Sequence, residues 1–348
     1  MDKTVLIFAS VIFSTAFNLP LCAETALEQF ESMGPKTELP APRPAAAGAG
    51  EARLSAEDAR KKLPLFDYQK ADALSVTRST PVAHKGCSVE AIELLINDPL
   101  RQLGEFKQQL IFYRSAKPGP HPTVLVFPPF MPQKIDDWSA THFTKKGYNA
   151  IIIAPSEALT DTSRPLNKVS DMLIRGVISA RMCIDLLETF PEVDKEKIYA
   201  YGISMGGIRT SLLFGVEPRV KKALEIVGGG DLPGIIADTH FKLLKTLRDE
   251  RMRIEGIADL EEFRTYMKKV TIVDPLDFAA LRNPEDIFMV VGTGDRIVPD
   301  SYQKKLYAAF SRPAEGRYPL LKHSIVGHYP TAVKYGIYID RFARFVKE

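Results

Sequence analysis

A serine acts as a nucleophile when a base takes its proton and a carboxylate orients that base, and one serine in this chain stands where such a set could assemble. Residues 198–207 read IYAYGISMGG, with Ser204 between Gly202 and Gly206. G-x-S-x-G marks a nucleophile elbow when a strand leads in and a helix leads out. The turn is then so sharp that side chains at the flanking glycines would strike the neighbouring strand and helix. A chain of this length contains the pattern by chance in about one case in ten, so the context must carry the argument. Without it, Ser204 is a polar residue in a glycine-rich loop.

The partners are sought further along. Of the six histidines (His84, His121, His142, His240, His323 and His328), His328 lies in GHYP at 327–330, a loop expected just before the last helix. Asp295 lies in GTGDRIVP at 292–299, directly after the apolar run IFMVV. Catalytic groups gather at the carboxyl ends of sheet strands, where both residues fall. Asp295 is the expected acid and His328 the expected base. An aspartate in a glycine turn, as Asp295 is, often only bonds its own backbone, and Asp231, after the glycines at 228–230, is the rival acid. His323, at the end of an apolar stretch, is the rival base. For an oxyanion, one donor is the Met205 N–H at the start of a helix. The second should come from the loop after TVLVF, which reads Pro128-Pro129-Phe130-Met131. Proline has no N–H, which makes Phe130 the first candidate and Met131 the next; a rigid turn without a donor role is the alternative.

Positioning these residues requires an alternating architecture. Strands are expected at 87–96, 107–114, 123–127, 149–154, 197–201, 223–227, 287–291 and 319–322, the first two as an antiparallel pair. Helical spacing appears at 138–147, 169–190, 208–214, 301–310 and 331–346. Continuous apolar strands alternating with amphipathic helices imply an α/β fold, a mostly parallel sheet with helices on both faces. Residues 232–279 do not alternate. They are charge-rich and helical in pattern, too long for a plain crossover, and are either solvated crossover helices or a small helical cap over the sheet's carboxyl edge.

Composition bounds the setting. With 45% hydrophobic and 26% charged residues in 348 and a net charge of +3, the chain can bury a large core and carries no basic stripe that would suit nucleic acid. Residues 5–17 form an uncharged apolar run after Lys3, too short to span a bilayer comfortably. With the small Ala23 following, residues 1–23 read as an export signal and the location as periplasmic or secreted. Residues 24–74 read as a Pro/Ala-rich tether with a short helix at 54–63 capped by Ser55, and 75–348 as the folded domain. Removing the signal leaves Cys87 and Cys183, whose spacing suggests no metal site and leaves pairing open.

The order Ser204 in GISMGG, Asp295 in GTGDRIVP and His328 in GHYP resembles the α/β-hydrolase superfamily over 88–348. Its esterase and dienelactone-hydrolase-like or prolyl-oligopeptidase-like branches are nearest in flavour. The resemblance implies an eight-stranded, mostly parallel sheet and cleavage of a small-molecule ester, less often an amide, without cofactor. It departs from the superfamily at Pro128-Pro129, where many members carry His-Gly. It also departs from dienelactone hydrolases proper, whose nucleophile is cysteine, so their substrate is not carried over. A peptidase of the prolyl-oligopeptidase kind usually carries a large propeller, which the roughly 60 mature residues before Lys85 cannot form. Peptidase, acyltransferase and non-catalytic binding protein stay as alternatives on the same fold.

Overall fold

The apolar and β-branched runs become strands of one sheet. The computed structural model describes residues 54–100, 102–130, 134–155, 164–311, 319–324 and 327–347. The expected export signal and the tether up to residue 53 lie outside them. The described chain opens with α1 (Ala56–Lys62), capped by Ser55 Oγ, which accepts the Asp58 N–H at 3.0 Å. Strands β1 (Ala73–Arg78), β2 (Val82–His84), β3 (Cys87–Asn97), β4 (Glu105–Ser115) and β5 (His121–Phe127) lead to helix α2 (Lys134–Lys145), β6 (Asn149–Ile153) and α3 (Val169–Leu187). Then come β7 (Val193–Ile203), α4 (Met205–Val216) and β8 (Val220–Ile226), followed by helices α5 (Leu232–Asp238), α6 (Lys242–Glu255), α7 (Leu260–Val270) and α8 (Pro275–Phe278). The order closes with β9 (Ile287–Gly292), α9 (Asp300–Phe310), β10 (Leu320–Ser324), α10 (His328–Ala332) and α11 (Tyr335–Phe345).

The strands lie in the order β1-β3-β4-β6-β5-β7-β8-β9-β10, with β2 also paired to β3. From β6 to β10 neighbours run parallel, and β1 to β4 form an antiparallel flank joined to β6. All eight expected strands are present. β1 and β2 extend the sheet beyond them, and β1 is exposed at every position, so burial writes no apolar alternation into its sequence.

Period-two alternation sets the two faces of the sheet. On β7, Tyr199 and Tyr201 meet Phe342 of α11 and Phe143 of α2 edge-on. Ile198 and Ala200, one residue out of phase, join the buried cluster of α3 and α4 through Val177, Ile178, Leu212 and Leu213. Cys87 and Cys183 are buried as free thiols. The single closing helix expected over 331–346 is divided: α10 begins at His328, and α11 starts again at Tyr335. Among the described residues no helix is long and apolar enough to cross a membrane.

One buried ion pair ties the β3–β4 connection to α3. Arg175 Nε donates to Asp98 Oδ1 at 2.9 Å, both side chains being nearly inaccessible. Burial pushes the Asp98 carboxyl up, but Arg175 and the N–H groups of Gln102 and Leu103 outweigh it and hold the group below its usual value. Removing one partner of a buried pair costs about 3–5 kcal/mol. Because three backbone N–H groups, from Leu100, Gln102 and Leu103, remain on Asp98, Arg175→Met is expected near the lower end, about 3 kcal/mol. The check is a urea unfolding curve whose midpoint falls while its slope stays unchanged.

Candidate active site

β7 ends at Ile203 and α4 begins at Met205, so Ser204 alone turns the chain, with φ 59° and ψ −121°. A non-glycine residue held there stores about 1–3 kcal/mol of strain. Neighbouring hydrogen bonds hold it: the Ser204 N–H donates to Ile226 O at 2.8 Å, and the Ser204 carbonyl accepts from the Ile208 N–H at 3.1 Å. The flanking glycines are required sterically. A Cβ on Gly206 would stand 2.0 Å from the Phe127 carbonyl oxygen, and one on Gly202 2.1 Å from that of Gly206.

Asp295 and His328 come together because β9 and β10 are parallel neighbours whose following loops meet at the same sheet edge. The Thr293 N–H donates to Ser324 O at 2.7 Å, and the Gly327 N–H to Thr293 O at 3.2 Å. This seating brings His328 Nδ1 to 2.6 Å from Asp295 Oδ2. With a carboxylate as acceptor, Nδ1 carries the proton and Nε2 is left with a free lone pair. The other oxygen, Oδ1, accepts from the N–H groups of Ile297 at 2.8 Å and Val298 at 3.1 Å. Gln303 completes the shell: its Nε2 donates to Asp295 Oδ2 at 2.8 Å and to Val298 O at 2.6 Å, while its Oε1 accepts the Gly292 N–H. The sequence reading missed Gln303. Its signal is a polar residue on the apolar face of α9, spaced with the buried Leu306 and Phe310.

The rivals have other surroundings. Asp231 caps α5 through the Gly234 N–H and pairs with Lys305 Nζ at 2.8 Å. His323 is exposed on β10.

Ser204, Met205, His328 and Phe130 line one cavity of about 130 Å³. Met205 is the first residue of α4, where backbone N–H groups lack intrahelical acceptors and the helix dipole favours negative charge. Met131 lies outside the described residues. Side chains of α5, α6 and α7, all from the 232–279 segment, also line this cavity.

A second missed residue sits behind the elbow. Glu225 of β8 is buried between Gly207 and Gly228, whose N–H it accepts through Oε1. Its Oε2 has no hydrogen-bond partner among the described residues. Burial, opposed only by that single N–H, pushes the carboxyl up to about 8, so Glu225 is mainly neutral at pH 7.

The sheet order, the elbow after β7 and the loops after β9 and β10 are those of the α/β-hydrolase fold, and solved structures bear this out. The acetyl xylan esterase 1 from a Thermoanaerobacterium species superposes with a TM-score of 0.61 at 13% identity, covering 84% of this chain and 95% of that one. An acetyl xylan esterase from a Paenibacillus species gives 0.58 at 14% identity over 83% of this chain and 93% of that one. A 2,6-dihydroxy-pseudo-oxynicotine hydrolase gives 0.51 at 17%, over 81% and 72%. At these identities the likeness is one of fold. No protein-family model matches the chain, and none of the curated proteins does.

The Glu225 carboxyl sets a pH dependence. Its folded value of about 8 lies above its ordinary 4.5. The stability it lends is therefore whole below pH 4.5 and is lost as pH rises to the folded value, because the unfolded chain ionises first. Glu225→Gln keeps the acceptor for Gly228 and cannot ionise. Its melting temperature should exceed the wild-type value at pH 8.5 and match it more closely at pH 5, as thermal unfolding at the two pH values would show.

Proposed function

We propose that the protein is an exported serine hydrolase that cleaves a carboxylic ester. The observation that carries this reading is the 2.6 Å bond between His328 Nδ1 and Asp295 Oδ2, in a histidine that shares one cavity with the strained Ser204. Ser204 Oγ attacks the acyl carbon as His328 Nε2 takes its proton. Asp295, held by Gln303 and two backbone N–H groups, keeps the imidazole in the required tautomer and stabilises its charged form. The N–H groups of Met205 and Phe130 receive the oxyanion. The imidazolium then protonates the departing alcohol, and water releases the acyl group through the same base, with no cofactor called for. Two of the similar solved structures carry the name acetyl xylan esterase, which agrees with ester chemistry. Export is supported by the apolar run at 5–17 and the small Ala23 after it.

A fluorophosphonate probe should label wild-type protein at Ser204 and leave Ser204→Ala unlabelled. Hydrolysis of p-nitrophenyl esters should fall by about 10⁶-fold in Ser204→Ala and by about 10⁴-fold in Asp295→Asn, with the circular dichroism of both variants unchanged. An unreactive Ser204 in folded wild-type protein overturns the reading. Labelling without ester turnover would favour a peptidase or acyltransferase.

A further inference from the structure

The cavity above Ser204 is built almost wholly of hydrocarbon, which ester cleavage by itself does not require. Ile203 enters it from the elbow, Met172 from α3, Ile235 from α5, Leu247 from α6, Phe263 from α7 and Val298 from the loop behind Asp295. Among the described residues no carboxylate, amide or tryptophan side chain lines it. The polar side chains that line it among the described residues are Ser204, His328, Tyr329, Arg248 and Arg251. Arg248 is committed to the Ala237 carbonyl at 2.6 Å and to Asp249, and Arg251 is engaged as well. A sugar buried here would leave hydroxyls unpaired, each weakening binding by about tenfold.

The walls are fixed in place by hydrogen bonds at their ends. Thr239 Oγ1 donates to Ile297 O and the His240 N–H to Arg296 O, both at 2.7 Å, which ties the end of α5 to the Asp295 loop. Ser170 Oγ of α3 donates to Val270 O at 3.0 Å and accepts the Ile272 N–H at 2.8 Å, which ties down the end of α7. Phe263 and Met267 of α7 are fully buried. The cavity is therefore preformed. A largely apolar cavity of this kind accepts an apolar guest.

The geometry points to an ester with a hydrocarbon moiety buried in this cavity and its scissile carbonyl at Ser204. The volume of about 130 Å³ is close to the ~150 Å³ apolar cavity that takes up benzene, so the buried group has about six carbons, straight or aromatic. This rests on the proposed role of Ser204. It also separates the chain's substrate from the acetylated sugar named in its structural neighbours. The hydrocarbon can belong to the acyl or the alcohol half of the ester, and each has its own arm in the test.

Purified protein is assayed on p-nitrophenyl esters from acetyl to dodecanoyl and on acetates of straight alcohols over the same range. In one of the two series kcat/KM should rise about fourfold per methylene, the gain from burying one CH₂. It should level off near six carbons and decline by ten. Leu247→Trp, which fills the cavity from α6, should lower the six-carbon to two-carbon ratio of kcat/KM in that series by at least tenfold. The two-carbon member favoured in both series, or ratios unmoved by Leu247→Trp, overturn the inference. Binding is read separately on Ser204→Ala protein by thermal shift with hexanoate and hexanol against acetate and ethanol. A shift with a six-carbon probe alone supports the cavity even if Ser204 proves unreactive. Labelling of Ser204 with no chain preference sinks this inference and leaves the hydrolase reading standing.

Discussion

The structure depends on a close approach of backbone to backbone at the end of β7. Gly206 lies against the carbonyl of Phe127, where a Cβ would stand 2.0 Å from that oxygen. Because α4 can come this near to β5, the chain reverses in one residue, and that residue, Ser204, is forced to positive φ. The N–H groups at the start of α4 then point to the same sheet edge as the β5 loop carrying Phe130. A serine on an ordinary loop would have neither the fixed exposure into the cavity nor a helix terminus beside it. The strain is offset by the parallel ladder on either side, which Ser204 itself extends through its N–H to Ile226.

The second constraint is the pairing of β9 with β10. Asp295 and His328 are far apart in sequence, but parallel neighbours deliver their following loops to one edge, and the bonds between residues 293, 324 and 327 fix the offset. Asp295 is then surrounded: two backbone N–H groups, Gln303 and His328 satisfy its oxygens. A carboxylate held this way keeps its rotamer and aims its remaining lone pair at the histidine. Asp231, on the preceding loop, is turned toward Lys305, so a different set of neighbours gives it a different task.

Helices α5 to α7 decide what surrounds the site. The same segment is charged on its solvent side and buries Phe263 and Met267 on the other. The apolar side faces a cavity that the sheet and α3 only half enclose. The two buried carboxyls nearby, Glu225 and Asp274, accept backbone N–H groups at the glycine-rich turn after β8. In that turn Val227 and Asp231 also adopt positive φ. Polar groups are thus spent on holding turns, and the cavity is left to hydrocarbon.

Much of this was legible in the chain itself. Eight strands, the elbow and the order of Ser204, Asp295 and His328 follow from local rules: period-two and period-3.6 burial, glycines where a Cβ cannot fit, and turn residues at strand ends. Residues whose role depends on distant partners were not legible. Gln303 and Glu225 carry no motif, and their meaning lies in an atom contributed by another element. β1 and β2 bury too little to leave a pattern, and α10 starts at His328 because Gly327 is seated on the loop after β9. The sequence determined which residues could do chemistry, because that is written in side-chain type and local backbone preference. Only the tertiary structure decided which aspartate meets the histidine and what lines the space above the serine, because those depend on contacts between segments far apart in the chain.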